Sequence, residues 1–407
     1  MASRQRWINA TIIGIGLASL CSDVGHEMAT TCMPALLAGL GASSAALGLI
    51  EGLADGLSGF AKLFSGLYSD RLEKRKPLAV VGYVVTAAGM ASFALATQWW
   101  HVLISRVGGW LGRGVRTPVR KVLLAEATTP ETYGRAFGFE RSLDSAGAII
   151  GPTLALLLAT ALGLRWLFAL TLIPGLGAAL LIFLLVKEKP HEAQPHARLW
   201  SGMRDLPSDF KRYLVGVGIA GLGDFSNTLL ILWATQAWTP RFGLAAAARW
   251  AMLFYIAYNV IYTIACYISG LFADWFPKRW VLATGYALAV IPALALMAAG
   301  SSMILFGVAF GVSGIYMGVW ETVESSTSAE MLPKQMRGSG GGSRATVNGI
   351  GDFVSSALIG ILWVLSPIWA MSTVALLSLP STTLIATTHP VSPSVPNELP
   401  ISKKVTL

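Results

Sequence analysis

About twelve stretches of roughly 20 apolar residues recur along this chain. A helix of that length crosses the roughly 30 Å of hydrocarbon in a bilayer. No water is available there, so each crossing segment must close its backbone hydrogen bonds internally. A chain with a dozen such segments is therefore confined to an all-α membrane bundle. Its composition agrees, with 54% of the 407 residues hydrophobic and only 13% charged, a surface that water would not keep dissolved.

The spans are expected at about 9–39, 44–68, 77–98, 100–126, 132–161 and 165–187, then at about 210–238, 245–273, 279–300, 302–331, 338–365 and 367–386. They are numbered 1 to 12 in that order. The charged, proline-rich stretch from Lys187 to Pro207 separates the sets and reads as a surface linker. The organisation expected is a bundle over 1–187, a cytoplasmic linker over 188–208, a second bundle over 209–388 and a disordered tail over 389–407. Pro380 is expected to interrupt span 12.

The two sets are copies of each other. Gly66-Leu67-Tyr68-Ser69-Asp70-Arg71, followed by Lys74-Arg75, returns as Gly270-Leu271-Phe272-Ala273-Asp274, followed by Lys278-Arg279. Gly14 to Leu20 ahead of Asp23 parallels Gly216 to Leu222 ahead of Asp224. Ala125-Glu126 with Arg135 parallels Ala329-Glu330 with Arg337, and Asp144 parallels Asp352. Order and spacing are both kept, as in a duplicated unit. Two homologous helical halves facing each other are the simplest frame for a midplane site that opens to alternate sides.

Lysine and arginine gather in alternate loops. Arg4 and Arg6, the cluster from Arg71 to Lys76, Arg135, the linker, Lys278-Arg279 and Lys334 to Arg337 fall on one side. Only Arg165, Arg241 and Arg249 fall on the other. Basic residues resist translocation, so both termini are expected in the cytoplasm of a plasma (bacterial inner) membrane. This asymmetry and anionic lipid headgroups account for the net charge of +9 without a nucleic-acid partner. Span 1 is long and acidic in its middle, unlike a cleavable signal. Cys21, Cys32 and Cys266 show no paired spacing for a disulfide or metal site.

In these residues the chain resembles the major facilitator superfamily over nearly its whole length. The loop after span 2 is similar to that family's signature, with Glu73 where the family has glycine, and a second copy follows span 8. Gly147-Ala148-Ile149-Ile150-Gly151-Pro152 in span 5 resembles the family's exporter motif, and Arg106 its membrane-embedded arginine. The resemblance implies two homologous six-helix bundles, no enzymatic activity, and secondary transport of a small molecule.

A charge in the bilayer costs several kcal/mol unless paired or wetted. Asp23, His26 and Glu27 share one face of span 1, and Glu51 and Asp55 one face of span 2. Span 4 carries Arg106, Arg113, Arg116 and Arg120; span 5, Glu140, Arg141 and Asp144; span 10, Glu321 and Glu324; span 11, Arg344, Asn348 and Asp352. Spans 7 and 8 add Asp224, Ser226, Asn227, Tyr258, Asn259 and Tyr262. These stripes are expected to face a central cavity. Asp23, Glu27 and Asp144 are candidates for the coupling proton, since desolvation favours a neutral carboxyl. Arg113 and Arg116 either hold an anionic solute or pair with acids of their own half. Asp23, His26 and Glu27 also form a candidate divalent-cation cluster, against which a proton-titrating or hydrogen-bonded cluster is the better reading on ligand count. Gly66, Asp70, Arg71, Arg75, Gly270, Asp274 and Arg279 are expected to latch the cytoplasmic gate.

No phosphate-cradling loop is present, so an ion gradient rather than ATP is the expected energy source. The expectation is a monomeric carrier, without cofactor or bound metal, exporting a small organic solute in exchange for protons. Proton-coupled uptake and divalent-metal export are the alternatives. A lipid-modifying membrane enzyme built on His26 and Glu27 is the rival from another class.

Overall fold

The computed structural model describes residues 7–42, 44–188, 206–224 and 227–388. Residues 189–205 of the expected linker, Ser226 and the expected tail over 389–407 lie outside them. Every regular element among the described residues is helical.

Spans 1 to 5 are Ala10–Gly39, Ser44–Ser69, Lys76–Ala91 with a 3₁₀ turn Ser92–Leu95, Trp99–Glu126 and Tyr133–Leu162. Span 6 breaks at Thr171 into Leu164–Leu170 and Leu172–Leu185. Span 7 breaks after Gly223 into Ser208–Leu222 and Asn227–Phe242, and span 9 breaks at Ala289 into Lys278–Leu288 and Val290–Met297. Spans 8, 10, 11 and 12 are Leu244–Trp275, Met303–Met331, Arg337–Leu365 and Pro367–Ala386.

Contrary to expectation, Pro380 does not end span 12. Ser378, Thr382 and Thr383 each donate a hydroxyl to the carbonyl four residues back, supplying the extra polar contacts that let membrane helices carry proline. Spans 3, 6, 8, 9, 10 and 12 are apolar enough to cross a membrane on length and hydropathy. The other six are as long but carry most of the polar stripes.

The same pairings build both halves. In the first, span 1 packs on spans 5 and 6, span 3 on 4 and 6, and span 2 on 4; in the second, span 7 packs on 11 and 12, span 9 on 10 and 12, and span 8 on 10. Each half holds two apolar cores, one towards each end. Tyr83, Val119, Phe137 and Ile182 belong to one core of the first half, and Phe93, Val102 and Phe168 to its other. The outer surface is apolar: Leu156, Trp166, Ile304 and Leu365 are each more than 70% exposed, as suits a protein whose solvent is lipid.

The halves meet chiefly through span 2 against span 11 and span 5 against span 8, with spans 10 and 11 also reaching spans 4 and 5. The named contacts of both main pairs, from Gly59–Thr346 to Asp70–Gly338 and from Ser142–Thr263 to Gly134–Asp274, lie towards the end that carries the basic loops.

At the opposite end, Gly41 and Gly243 turn the chain between spans 1 and 2 and spans 7 and 8 with φ of +71° and +77°. Their match is a further trace of the duplication. Because a Cβ strains that conformation, Gly243→Ala is expected to lower stability by about 1–2 kcal/mol. Gly177→Ala, which faces open space within a helix, is expected to be neutral or up to about 1 kcal/mol stabilising. Reversible unfolding in mixed micelles compares the two.

Candidate functional site

The sealed end is built from carboxylates and helix N-termini. Asp70, just past span 2, accepts from the backbone N–H of Gly338 at 3.0 Å and of Ser339 at 2.6 Å, in the first turn of span 11. Asp274, near the end of span 8, accepts from the N–H of Gly134 at 2.7 Å and of Arg135 at 3.1 Å, in the first turn of span 5, and from Arg135 Nε at 2.6 Å. Unpaired N–H groups and the positive end of the helix dipole make such a terminus a good anion partner. Burial pushes the Asp70 carboxyl above the usual carboxylate range, while the Ser339 and Gly338 N–H groups and Arg75 pull the other way. Its charge thus depends on the partners that closure supplies.

Glycines set the approach. A Cβ on Gly66 would overlap Gly338 and Gly342, and one on Gly270 would overlap Gly134 and Gly138. Arg75 stays within its own half, bridging Asp70 at 3.2 Å and Glu126 at 2.5 Å. Arg279 donates to the Thr388 carbonyl at 3.1 Å, also within its half. Arg71 is half-buried.

A few turns in from this seal lies a polar cavity of about 210 Å³ walled by both halves. Arg113, Arg116, Thr117, Arg120 and Lys121 of span 4 and Arg141 and Asp144 of span 5 line one side. Glu321 of span 10 and Arg344, Asn348 and Gly349 of span 11 line the other. Arg141 ties the two sides together: it pairs with Asp144 at 2.6 Å and reaches across to Glu321 at 3.2 Å and the Tyr262 hydroxyl at 2.7 Å. A larger groove of about 800 Å³ between spans 8, 9 and 10 is apolar and opens to the lipid side, where Ile264, Phe272 and Trp280 are exposed. Lined by one half only, it has no means of alternating between sides.

Above the cavity, Asp23 pairs with Arg113 at 3.3 Å, and His26 Nε2 lies 3.3 Å from Glu27. Arg106 pairs with Glu51 at 2.9 Å, donates to Thr30 at 2.8 Å and stacks on Trp110 at 3.5 Å. Trp110 donates its indole N–H to Asp55 at 2.6 Å and stacks against His26 at 4.4 Å. Gly147 and Gly151 face the turn of span 1 that bears Asp23 and Glu27, where a Cβ would come within 2.9 Å and 2.8 Å of their Cβ atoms; Pro152 follows on the same helix. Ligand atoms of Asp23, His26 and Glu27 lie within 4.8 Å of one another, but the guanidinium on Asp23 opposes a divalent cation there.

Glu324 sits apart from the cavity, fully buried. It accepts from Tyr286 at 2.8 Å, Asn348 at 2.7 Å, Trp320 and Arg344. That saturated shell marks a structural charge, not one that lines the cavity. Tyr255, Tyr258 and Tyr262 stack along span 8, and Asn259 donates to the Tyr255 carbonyl at 2.8 Å. Asp224 is half-buried at the break in span 7. The side chains of Asn227 and Asp352 lie outside what the structure describes.

Several contributors escape a motif search. Gly134, Gly138, Gly338 and Gly342 receive the loop glycines. Arg120 pairs with Glu140 at 2.8 Å and with Asp144 at 3.3 Å; at the matching positions of the second half stand Glu324, Arg344 and Asn348, so the counterpart of Asp144 is Asn348 and not Asp352 as expected. The duplication therefore keeps one buried ion pair with its charges exchanged. Gly134 stands as far from Gly338 in the chain as Gly66 from Gly270, and so does Arg120 from Glu324. Sliding the chain against itself at that offset would have found them.

Two like-built helical bundles sealed over a charged cavity define a membrane carrier. The family model of the Major Facilitator Superfamily matches residues 15–356, and the chain belongs to that family of integral membrane transporters. An uncharacterised MFS-type transporter of Methanocaldococcus jannaschii is 28% identical over 89% of this chain and 91% of its own length. The multidrug resistance protein MdtH of Salmonella arizonae is 27% identical over 72% of this chain and 70% of its own. Among solved structures, the E. coli fucose:proton symporter superposes with a TM-score of 0.76 at 15% identity, over 93% of this chain and 98% of its own. That likeness concerns the fold.

Removing one member of a buried ion pair strands the other, at a cost of about 3–5 kcal/mol, whereas replacing both by apolar residues costs far less. Glu324→Leu is expected to destabilise by at least that amount, and Glu324→Leu with Arg344→Leu to recover only the part due to the stranded guanidinium, since the Tyr286, Trp320 and Asn348 donors stay unpaired. Unfolding in mixed micelles measures both.

Proposed function

We propose that this chain is a proton-coupled secondary transporter that moves a small organic solute by rocking its two halves about the charged cavity. One observation carries the reading: the halves seal at one end, through two matched carboxylate–helix N-terminus contacts, over a cavity that both of them wall. Such contacts exchange for water when the seal opens, so neither state requires unfolding. The basic loops support assigning the sealed end, and both termini, to the cytoplasm of a plasma membrane. On that assignment the structure is closed towards the cytoplasm.

Asp23 and Glu27 are the proposed proton carriers. Asp23 has a single guanidinium partner, while Asp144 is bracketed by Arg120 and Arg141. Protonating Asp23 releases Arg113, which also lines the cavity, and so links proton binding to the solute site. Export in exchange for protons is the direction favoured by the Gly147–Pro152 motif and by the multidrug resistance relatives. A second reading, uptake with protons, is supported by Arg113: a solute that took this guanidinium would leave Asp23 needing a proton, so the two would bind together.

Nitroxide pairs test the mechanism, one across the sealed end on Glu131 and Lys334 and one across the opposite end on Thr97 and Ser301, all exposed. Double electron–electron resonance is expected to show the first distance widening as the second narrows between pH 8 and pH 5. Each hydrogen bond to Asp70 is worth about 1.5–3 kcal/mol, so Asp70→Asn is expected to shift the population towards the widened form by 10-fold or more. Asp23→Asn with Glu27→Gln is expected to abolish the pH response. Distances that stay fixed across this pH range and in the Asp70 variant would overturn the carrier reading.

A further inference from the structure

The cavity's wall of cations bears on the charge of the solute. Besides Lys62 of span 2, four are neutralised: Arg113 by Asp23, Arg120 by Glu140 and Asp144, Arg141 by Asp144 and Glu321, and Arg344 by Glu324. Two on span 4 differ. Among the described residues, neither Arg116 nor Lys121 has a carboxylate within 4.0 Å. Arg116 is 3% exposed, and its Nε and one Nη lack any hydrogen-bond partner. Lys121 donates to the Ser325 hydroxyl at 2.7 Å. Both line the cavity.

An uncompensated charge at this depth is expensive, which marks it as functional. The setting of Arg116 suits it for one task. Gly82 lets span 3 press against it, where a Cβ would come within 2.8 Å of the Arg116 Cβ, and the Tyr83 ring lies 4.1 Å from its Cζ. Stacking covers a face of the guanidinium and leaves its in-plane N–H edge for paired oxygens, the geometry of a carboxylate or phosphate. A cation finds no equivalent: the two carboxylates lining the cavity, Asp144 and Glu321, are both held by Arg141.

We infer that the transported solute is a small anion whose carboxylate or phosphate group is held by Arg116 and Lys121. This deepens the carrier reading and rests on it for the word transported; the binding site itself does not.

Four probes of one shape and different charge test the inference on the purified full chain: benzoate, phenyl phosphate, neutral benzamide and cationic benzamidine. A ligand that binds the folded state raises its unfolding temperature by mass action. Benzoate or phenyl phosphate is expected to give a saturable rise, the stronger of the two naming the preferred group, while benzamide and benzamidine give none. Losing one charge-assisted hydrogen bond is worth roughly 10- to 100-fold in affinity. That loss is expected for Lys121→Gln and Arg116→Gln, with partial recovery in Arg116→Lys. No rise with either anion, a rise with benzamidine equal to or above theirs, or wild-type anion affinity in Lys121→Gln would overturn the inference. The nitroxide distances keep the two ideas apart. Movement without anion binding sinks the site alone, and anion binding without movement sinks the carrier reading alone.

Discussion

The contact on which the rest of the arrangement depends is a carboxylate set against the first turn of a facing helix. It works because of what lies around it. Each of Asp70 and Asp274 meets two backbone N–H groups that have no partner inside their own helix. The glycine pairs Gly66–Gly338 and Gly270–Gly134 let the two backbones close to that range. Any side chain larger than hydrogen at these glycines would hold the helices apart and leave the carboxylates facing N–H groups they could not reach. The same groups are readily solvated once separated, so closure is favourable without being permanent.

The buried ion pairs divide the molecule into parts that stay together and parts that can separate. Arg120–Glu140 and Arg344–Glu324 are each confined to one half and are at least 94% buried at both side chains; breaking them has no compensation in water. The ion pairs that cross between halves each have at least one wetter partner, although Asp274 itself is buried. Arg141 and Glu321 are 22% and 34% exposed, and the Arg135 partner of Asp274 is 28% exposed. On the proposed carrier reading, this difference in solvation would direct motion to the interface and let each half move as a body.

Much of this was legible in the residues. Apolar length gave the helices, and the repeated Gly-Asp loop placed the halves and their matching ends. Three things were not legible, each for a physical reason. The kinks of spans 6, 7 and 9 leave apolar periodicity unchanged. Glu324 looks like any other intramembrane acid until its four donors, drawn from spans 9, 10 and 11, are brought together by packing. Arg75 reads in the chain as a latch residue reaching the other half, yet it is fully buried and linked to Asp70 and Glu126 of its own half, a pairing that only packing of spans 2 and 4 reveals.

The scaffold is symmetric, but the chemistry placed on it is not. Tyr83 and Tyr286 occupy equivalent positions beneath the cavity wall, and over them stand Arg116 in the first half and Trp320 in the second. Arg113 likewise corresponds to Met317. The first half therefore carries most of the cations and most of the acids that answer them, with Gly147 and Gly151 pressing span 1 close enough for Asp23 to reach Arg113. The second half presents aromatic surface, Glu321 facing Arg141, and the buried charge cluster around Glu324. A duplicated frame needs its symmetry only where the halves must open and close alike, at the loops and their glycines. On the proposed carrier reading, binding can then rest mainly on the more highly charged wall, because rocking would change which side of the membrane both walls face together.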